Sequence, residues 1–269
     1  MKKLYIYTKM AFIALLMVIV SQACDFGKYQ DDPNKPSQGS PALLLPTLIA
    51  NTFNNGNATT WCFTGQLLFY TERVESDQYW GWTTTGLGGY GTIRQAVLME
   101  EEAEKTEQPA YVALANLFKQ LQFYYMTRDV GSIPYVEAMK AKEQLFKPKY
   151  DDQKTIFKNI LKELESVNLI LSNNKSVSID GDILYNGDIL KWQKLTNSYR
   201  LKILMELSIK EDDSDMNIKQ ECTNVFSDPG KYPVFTRNTD MPRFKYYDQD
   251  GNRYPTYDRT TTYAKHVQI

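Results

Sequence analysis

The residues of this sequence with the clearest chemical potential are large aromatic rings that interrupt a helical pattern. Residues 75–91, here called the aromatic loop, read ESDQYWGWTTTGLGGYG, and Arg73 comes just before them. The rings are Tyr79, Trp80, Trp82 and Tyr90. Helix packing does not explain rings among glycine, serine and threonine, and loops on a rigid scaffold often carry binding residues. The stretch predicts a ligand-binding loop in which Arg73 donates paired hydrogen bonds, unless the tryptophans close the core and the arginine caps a helix.

The tyrosine content points to the kind of ligand that such rings would bind. The chain has 19 tyrosines against 12 phenylalanines and 4 tryptophans, so many of its rings carry a polar tip. A sugar has apolar C–H faces ringed by hydroxyls, and flat rings beside hydrogen-bonding groups suit its recognition. The alternative is that most tyrosines line helix interfaces, so only rings outside the helical pattern count toward a site.

The charged and histidine residues exclude several functions. His266 is the only histidine, so a multi-histidine metal site is impossible and a Ser-His-Asp or Cys-His system would depend on this residue near the carboxyl terminus. Catalysis would fall to carboxylates, but the run with Glu100, Glu101 and Glu104 is interpreted as a solvated helix face rather than part of a glycosidase pair. Because 31 Lys and Arg balance 32 Asp and Glu, the chain has no net positive charge that would attract nucleic acid. We expect a protein that is not an enzyme and needs no cofactor.

Two further patterns leave alternatives open. Asp248, Asp250 and Asn252 have the one-three-five spacing of a calcium loop, but the loop glycine comes two places early and no acid stands at position twelve. A tight turn is the favoured interpretation, and no metal is expected. Cys62 and Cys222 match no metal or redox motif, so they are either buried free thiols or a disulfide.

The amino terminus has the pattern of a lipoprotein leader. Lysines precede the apolar run 10–20, which is well under the ~20 residues that a transmembrane helix needs. An alanine followed by Cys24 then supplies the small residue and the thiol of a lipoprotein cleavage site, although plain secretion remains the alternative. The sequence predicts a signal peptide at 1–23, lipidation of Cys24, a polar tether at 24–40 and a folded domain at 41–269.

Helices must position these segments, and the longest helical pattern spans residues 180–209. One apolar stripe has spacings of three or four and consists of Ile189, Trp192, Leu195, Tyr199 and Ile203. A second stripe lies nearly opposite and consists of Leu190, Leu201, Leu204 and Met205. A helix with two apolar faces is expected to lie between other helices, as in a stack of helical hairpins.

Other helical patterns precede this helix along the chain. They cover residues 42–53, 60–74, a segment from about 92, 109 to about 131, and a segment that Asp151 or Asp152 caps. The last segment carries a stripe of Ile156, Ile160, Leu164, Val167 and Leu171. From Ser227 onward the chain is aromatic, proline-rich and aperiodic, so no helix is predicted there.

Four collinear segments within residues 30–204 carry a family resemblance. They read QDDPNKPSQGSPALLLPTL, RDVGSIPYVEAM, PKYDDQKTIFKNILKELE and YNGDILKWQKLTNSYRLKIL. These segments resemble the SusD/RagB family of nutrient-binding outer-membrane lipoproteins. The resemblance implies a mostly α fold of tetratricopeptide-like helical hairpins with long, loop-rich insertions. Family members are longer, so we expect this chain to be an amino-terminal portion of such a fold.

The resemblance also implies a function. It implies a lipid-anchored protein at the cell surface of the outer membrane, which binds an oligosaccharide or similar nutrient and delivers it to a TonB-dependent, SusC-like transporter. Two other classes compete with it, namely a helical-repeat scaffold that binds only protein and a carboxylate-dependent glycoside hydrolase. Glycan binding without turnover favours the first class, turnover favours the hydrolase, and the absence of both favours the scaffold.

Overall fold

The computed structural model describes residues 39–53, 62, 65–67, 69–70, 79, 86–249 and 267–268. The chain divides into two units, Met1–Gly39 and Ser40–Ile269, and all the helices and strands named below belong to the second. Within the described residues the protein is mostly α-helical, which confirms the predicted fold class.

Consecutive helices form the framework. The α-helices are α1 (Pro41–Phe53), α2 (Gly89–Lys105), α3 (Pro109–Val130), α4 (Gln153–Asn173), α5 (Ile189–Glu206) and α6 (Ile218–Ser227), and the 3-10 helices are Lys140–Glu143 and Leu207–Lys210. Helices α2 to α5 each contact the next helix along the chain, which gives a stack of helical hairpins. Two short strands, β1 (Phe69–Tyr70) and β2 (Val267–Gln268), pair antiparallel with Phe69 opposite Gln268.

Local sequence explains where the central hairpin turns. The connection between α2 and α3 contains Glu107 in the left-handed region, with a φ of 52°, and Pro109 then occupies the first turn of α3, where no backbone N–H is needed. Helix α3 ends at Gly131, whose φ of 82° favours glycine, and the Gly131 N–H donates to Thr127 O. The predicted bounds of this helix are therefore confirmed.

Helix α3 and the Trp192 side chain form the centre of the core. Most of α3 is buried, including Leu114, Phe118 and Leu121. Trp192 from α5 is fully buried, with its ring edge-on to Phe118 at 5.7 Å and to Tyr185 at 5.1 Å between centroids. These contacts join α3, α5 and the segment before α5 into one hydrophobic cluster.

The second apolar stripe predicted for α5 is wrong at its two ends, although its member Leu204 is fully buried. Leu190 and Met205 are 44% and 72% exposed, although the first stripe is buried as predicted apart from a half-buried Tyr199. The remaining buried positions of α5 are polar: Gln193, Thr196, Asn197 and Arg200. Hydrogen bonds compensate part of their burial, for example from Gln193 Nε2 to Lys231 O and from Asn197 Nδ2 to Pro233 O. The helix therefore has a second buried face, but that face is mostly polar.

The helix predicted at 60–74 includes the helical Cys62 but is wrong from Gly65 to Tyr70 in the part that the structure describes. Gly65, Gln66 and Leu67 form a turn, and Gln66 has a left-handed φ of 58° that an α-helix cannot contain. The Leu67 N–H donates to Cys62 O at 2.8 Å, and strand β1 follows. The other residues of this segment lie outside the described residues.

The cap of α4 is provided by the second of its two candidate aspartates. Asp152 accepts a hydrogen bond from the Thr155 N–H at 2.9 Å and so satisfies one free donor of the first turn. Asp151 instead accepts hydrogen bonds from the N–H groups of Tyr135 and Val136. The predicted apolar stripe of α4 is fully buried.

Candidate functional site

The predicted site residues divide between described and undescribed parts of the chain. Arg73, Trp80, Trp82 and the lipidation residue Cys24 lie outside the described residues. Tyr79 is 61% exposed, which leaves its ring open to a ligand. Tyr90 lies in the first turn of α2, which begins at Gly89 rather than near residue 92. The roles predicted for these residues therefore stay predictions.

Tyr90 attaches the end of the aromatic loop to the helical framework. Its hydroxyl donates to Pro134 O at 2.5 Å, and its ring is edge-on to the ring of Phe123 with 6.1 Å between centroids. Burial, with smaller contributions from the negative charge of an ionised Tyr150 and of Asp151, raises the pKa of Tyr90 to about 12. The hydroxyl therefore remains a hydrogen-bond donor at neutral pH.

The segment that receives Tyr90 is itself held in place. Ile133 and Asp151 form an antiparallel bridge, with the Asp151 N–H donating to Ile133 O at 3.0 Å. The Asp151 carboxylate accepts from the N–H groups of Tyr135 at 2.9 Å and Val136 at 2.8 Å. Tyr150 precedes this bridge and is 66% exposed, so a rigid segment next to Tyr90 presents another aromatic ring to solvent. The sequence did not reveal this ring as a site residue, because only the bridge brings it beside Pro134.

A groove is lined by Phe123, whose ring contacts that of Tyr90. It has a volume of about 380 Å³ and is lined by α2, α3, α4 and the segment after Gly131. We call it the polar groove, because its walls include Glu100, Asn116, Lys119, Gln120, Tyr135 and Glu163. No sequence motif marks it, since its polar residues come from separate helices and meet only in the folded chain.

The predicted lead-in to α5 is organised by the buried carboxylate of Asp182. Its Oδ1 accepts from the N–H groups of Leu184 at 2.9 Å and Tyr185 at 3.0 Å. Its Oδ2 accepts from the Gly187 N–H at 2.9 Å and from Trp192 Nε1 at 2.8 Å. With four donors around it, this carboxylate stabilises the turn and fixes the Trp192 ring.

At two positions of this lead-in, other atoms lie so close to the backbone that only glycine fits. Gly181 has a φ of 74°, and a Cβ atom there would lie 2.2 Å from Ala42 O of α1. Gly187 has a φ of 84°, and a Cβ atom there would lie 2.7 Å from Ser178 Oγ. Gly181 therefore lets the lead-in pack directly on the backbone of α1, and Gly187 lets it pack against Ser178.

Two glutamates in the acidic run of α2 form ion pairs with lysines. Glu100 pairs with Lys119 of α3 at 2.6 Å, Glu101 pairs with Lys142 at 2.5 Å, and Glu104 is exposed. The hydrogen bond from Lys142 lowers the pKa of Glu101. A glycosidase general acid needs a raised pKa, so Glu101 has the opposite property.

The sequence also raised a metal site and a disulfide as alternatives. In the described part of the chain, no group of three His, Cys, Asp or Glu side chains is placed to hold a metal ion. Asp250 and Asn252 of the calcium-like pattern lie outside that part. Cys62 and Cys222 are free thiols, and burial raises the pKa of Cys222.

No described helix is both long enough and apolar enough to span a bilayer. This finding concerns the described residues alone, which do not include the predicted leader and Cys24.

The chain is similar to several solved structures, whereas no curated protein matches its sequence. A SusD homologue from Bacteroides fragilis is 36% identical with a TM-score of 0.70, and the match covers 82% of this chain and 47% of that one. A Bacteroides vulgatus outer membrane protein with a suggested role in nutrient binding is 36% identical with a TM-score of 0.73, and the match covers 83% of this chain and 48% of that one.

Another SusD homologue from Bacteroides fragilis is 29% identical with a TM-score of 0.75, and the match covers 86% of this chain and 48% of that one. The chain thus spans about half the length of the solved proteins that it matches, with shares of 47% and 48%.

A family model, SusD-like, described as starch-binding and associating with the outer membrane, matches residues 33–267. This match extends over most of the chain and includes the aromatic loop, α1 to α6 and the polar groove. The chain therefore belongs to the SusD-like family of starch-binding proteins that associate with the outer membrane.

Proposed function

We propose that this chain is a lipid-anchored, cell-surface protein of the outer membrane that binds an oligosaccharide or similar nutrient and delivers it to a TonB-dependent, SusC-like transporter. The family description supports carbohydrate binding and the outer-membrane location. The observation that carries the proposal is the hydrogen bond from Tyr90 to Pro134 O, which fixes one end of the aromatic loop on a rigid helical framework. A loop held in this way loses less conformational entropy when a ligand binds.

The proposed site uses the aromatic loop for stacking and the arginine before it for hydrogen bonds. Trp80 and Trp82 stack against the sugar with help from the exposed ring of Tyr79. Arg73 donates to neighbouring hydroxyls through its two parallel N–H groups. Tyr90 completes the set, and its bonded hydroxyl supports a role in positioning the loop.

Binding without turnover is the expected activity. The lowered pKa of Glu101 favours a carboxylate that stays ionised, and Glu100 is engaged in an ion pair with Lys119. A hydrolase would need a protonated carboxyl opposite a second carboxylate. We therefore propose that the protein captures its ligand unchanged and needs no cofactor.

Calorimetric titration of the wild type, Trp80→Ala and Trp82→Ala with maltoheptaose, xylohexaose and mannohexaose tests this proposal. Each lost ring should weaken binding by about 1–3 kcal/mol, roughly tenfold to hundredfold, because a stacking surface is removed. Thermal stability should change little, since both tryptophans interrupt the helical pattern of the sequence. Tyr247→Ala is a matched control, because Tyr247 is an exposed aromatic residue outside the loop.

Two results would contradict the proposal. Binding by both tryptophan variants at wild-type affinity would place the ligand elsewhere. Release of new reducing ends during the titration would favour the glycoside hydrolase instead.

A further inference from the structure

The walls of the polar groove form a fixed sequence of donors and acceptors. Tyr135 OH donates to Gln120 Oε1 at 2.8 Å, and Gln120 Nε2 donates to Asn116 Oδ1 at 2.8 Å. Asn116 Nδ2 in turn donates to Glu163 Oε2 at 2.7 Å, across from α3 to α4. Each side chain is oriented by the previous one, so the polar wall is organised before any ligand arrives.

An ion pair that also has a fixed geometry forms another part of the groove lining. Lys119 Nζ donates to Glu100 Oε1 at 2.8 Å and to Glu100 Oε2 at 2.6 Å, and both side chains are about four-fifths buried, with 18% and 22% exposed. The ammonium has three N–H donors, and each carboxylate has about four acceptor positions. The pair therefore keeps hydrogen-bonding capacity that faces the groove.

Aromatic and aliphatic side chains complete the lining. The ring of Phe123 lies against that of Tyr135 with 4.5 Å between centroids, and Ile93 and Val97 come from α2. An apolar patch beside ordered hydrogen-bonding groups complements a sugar ring, whose hydroxyls each donate and accept.

We propose that the polar groove binds a short neutral saccharide, as a second ligand site separate from the aromatic loop. The proposal rests on the proposed function, since it extends carbohydrate binding to another part of the same chain. A volume of about 380 Å³ lies at the lower end of small-molecule sites, so the groove takes a short unit rather than a long polymer. Glu100, Glu163 and Lys119 give its walls one excess negative charge, which disfavours phosphorylated or acidic sugars.

The side-chain amide signals of Asn116 and Gln120 give a direct test. We expect both signals to shift in NMR spectra of the full chain when maltotriose, xylotriose or mannotriose is added, because these amides form the groove wall. Trp80→Ala should leave these shifts intact, since the groove is a separate site.

Lys119→Met should reduce the affinity measured from the Asn116 and Gln120 shifts about tenfold, because a charged donor is lost. Lys105→Met is the matched control: Lys105 also pairs with a glutamate of α2, Glu102, but lies outside the groove. Lys119→Arg should restore part of the affinity, and melting temperatures show whether each variant is folded. If Lys119→Met does not fold, the groove site is tested by two other measurements. These are the shifts of the Asn116 and Gln120 signals in the wild type and the affinity of Lys119→Arg.

The outcomes separate this inference from the proposed function. If no oligosaccharide shifts any signal of the wild type, carbohydrate binding itself is contradicted, and the groove site with it. If signals shift outside the groove while those of Asn116 and Gln120 do not, only the groove site is overturned. A folded Lys119→Met variant with wild-type affinity at the groove would also overturn it.

Discussion

Among single residues, Asp240 links the segment after α6 to α5 through its carboxylate. Its Oδ2 accepts from the N–H groups of Thr236 at 3.0 Å and Arg237 at 3.3 Å and pairs with Lys194 Nζ at 3.0 Å. The hydrogen bond from Thr236, followed by that from Lys194, lowers the pKa of Asp240 to about 2. The ionised form is therefore the one that stabilises the fold.

The pH dependence of stability follows from that pKa. An unfolded aspartate titrates near ~3.9, so the contribution of Asp240 is fully present above that pH and is lost as the pH falls toward about 2. Urea unfolding of the wild type and Asp240→Asn should show a less stable variant at pH 7 and a difference that disappears near pH 2. Asp212→Asn, at an exposed aspartate, is the control. A difference of the same size at both pH values would contradict this account.

The limits of sequence reasoning are also visible at single residues. Asp152 was predictable as a cap, because the signal is local and needs only a short polar side chain before an apolar stripe. The position of the exposed Tyr150 ring could not be predicted in this way. It lies beside Pro134 because of the bridge between Ile133 and Asp151, which are distant in sequence. The polar groove was missed for the same reason.

At the level of elements, α5 depends on Trp192. The variant Trp192→Ala should lower the free energy of unfolding by about 3–5 kcal/mol, because it leaves a cavity between helices and removes one donor from Asp182. Trp192→Phe should fall between the wild type and the alanine variant, since it keeps a ring but not the donor. Denaturant unfolding measures both.

Leu190→Ala is the control on the same helix, because Leu190 is 44% exposed and Trp192 is fully buried. A loss under about 1 kcal/mol for Trp192→Ala would contradict the central role of this ring.

The errors at the level of elements have physical causes. Hydrophobic periodicity found the first face of α5 but not its polar face, since the acceptors of the buried Gln193 and Asn197 come from distant parts of the chain, namely Asn168 and the carbonyls of residues 231 and 233. The pattern at 60–74 suits a helix, and a glutamine in the sequence does not indicate the left-handed backbone that Gln66 adopts. Both features are set by tertiary structure, which a local pattern does not contain.

For the whole molecule, the predicted lipid anchor decides where binding takes place. We expect metabolic labelling with tritiated palmitate to label the wild type and not Cys24→Ser, because Cys24 is the proposed acylation site. The wild type should also sediment with membranes, and the variant should not. Cys222→Ser is the control, since its thiol lies in α6. Label that survives in Cys24→Ser, or is absent from the wild type, would contradict the anchor.

The complete burial of Trp192 also makes intrinsic fluorescence informative. Trp192 is shielded from water, and the other tryptophans of the chain, Trp61, Trp80 and Trp82, fall within residues 61–82. Aqueous iodide does not reach a shielded indole, so unfolding should increase quenching as Trp192 becomes accessible. A ligand stacked on Trp80 or Trp82 should instead decrease quenching. Loss of fold and occupation of the aromatic loop would thus change one optical signal in opposite directions.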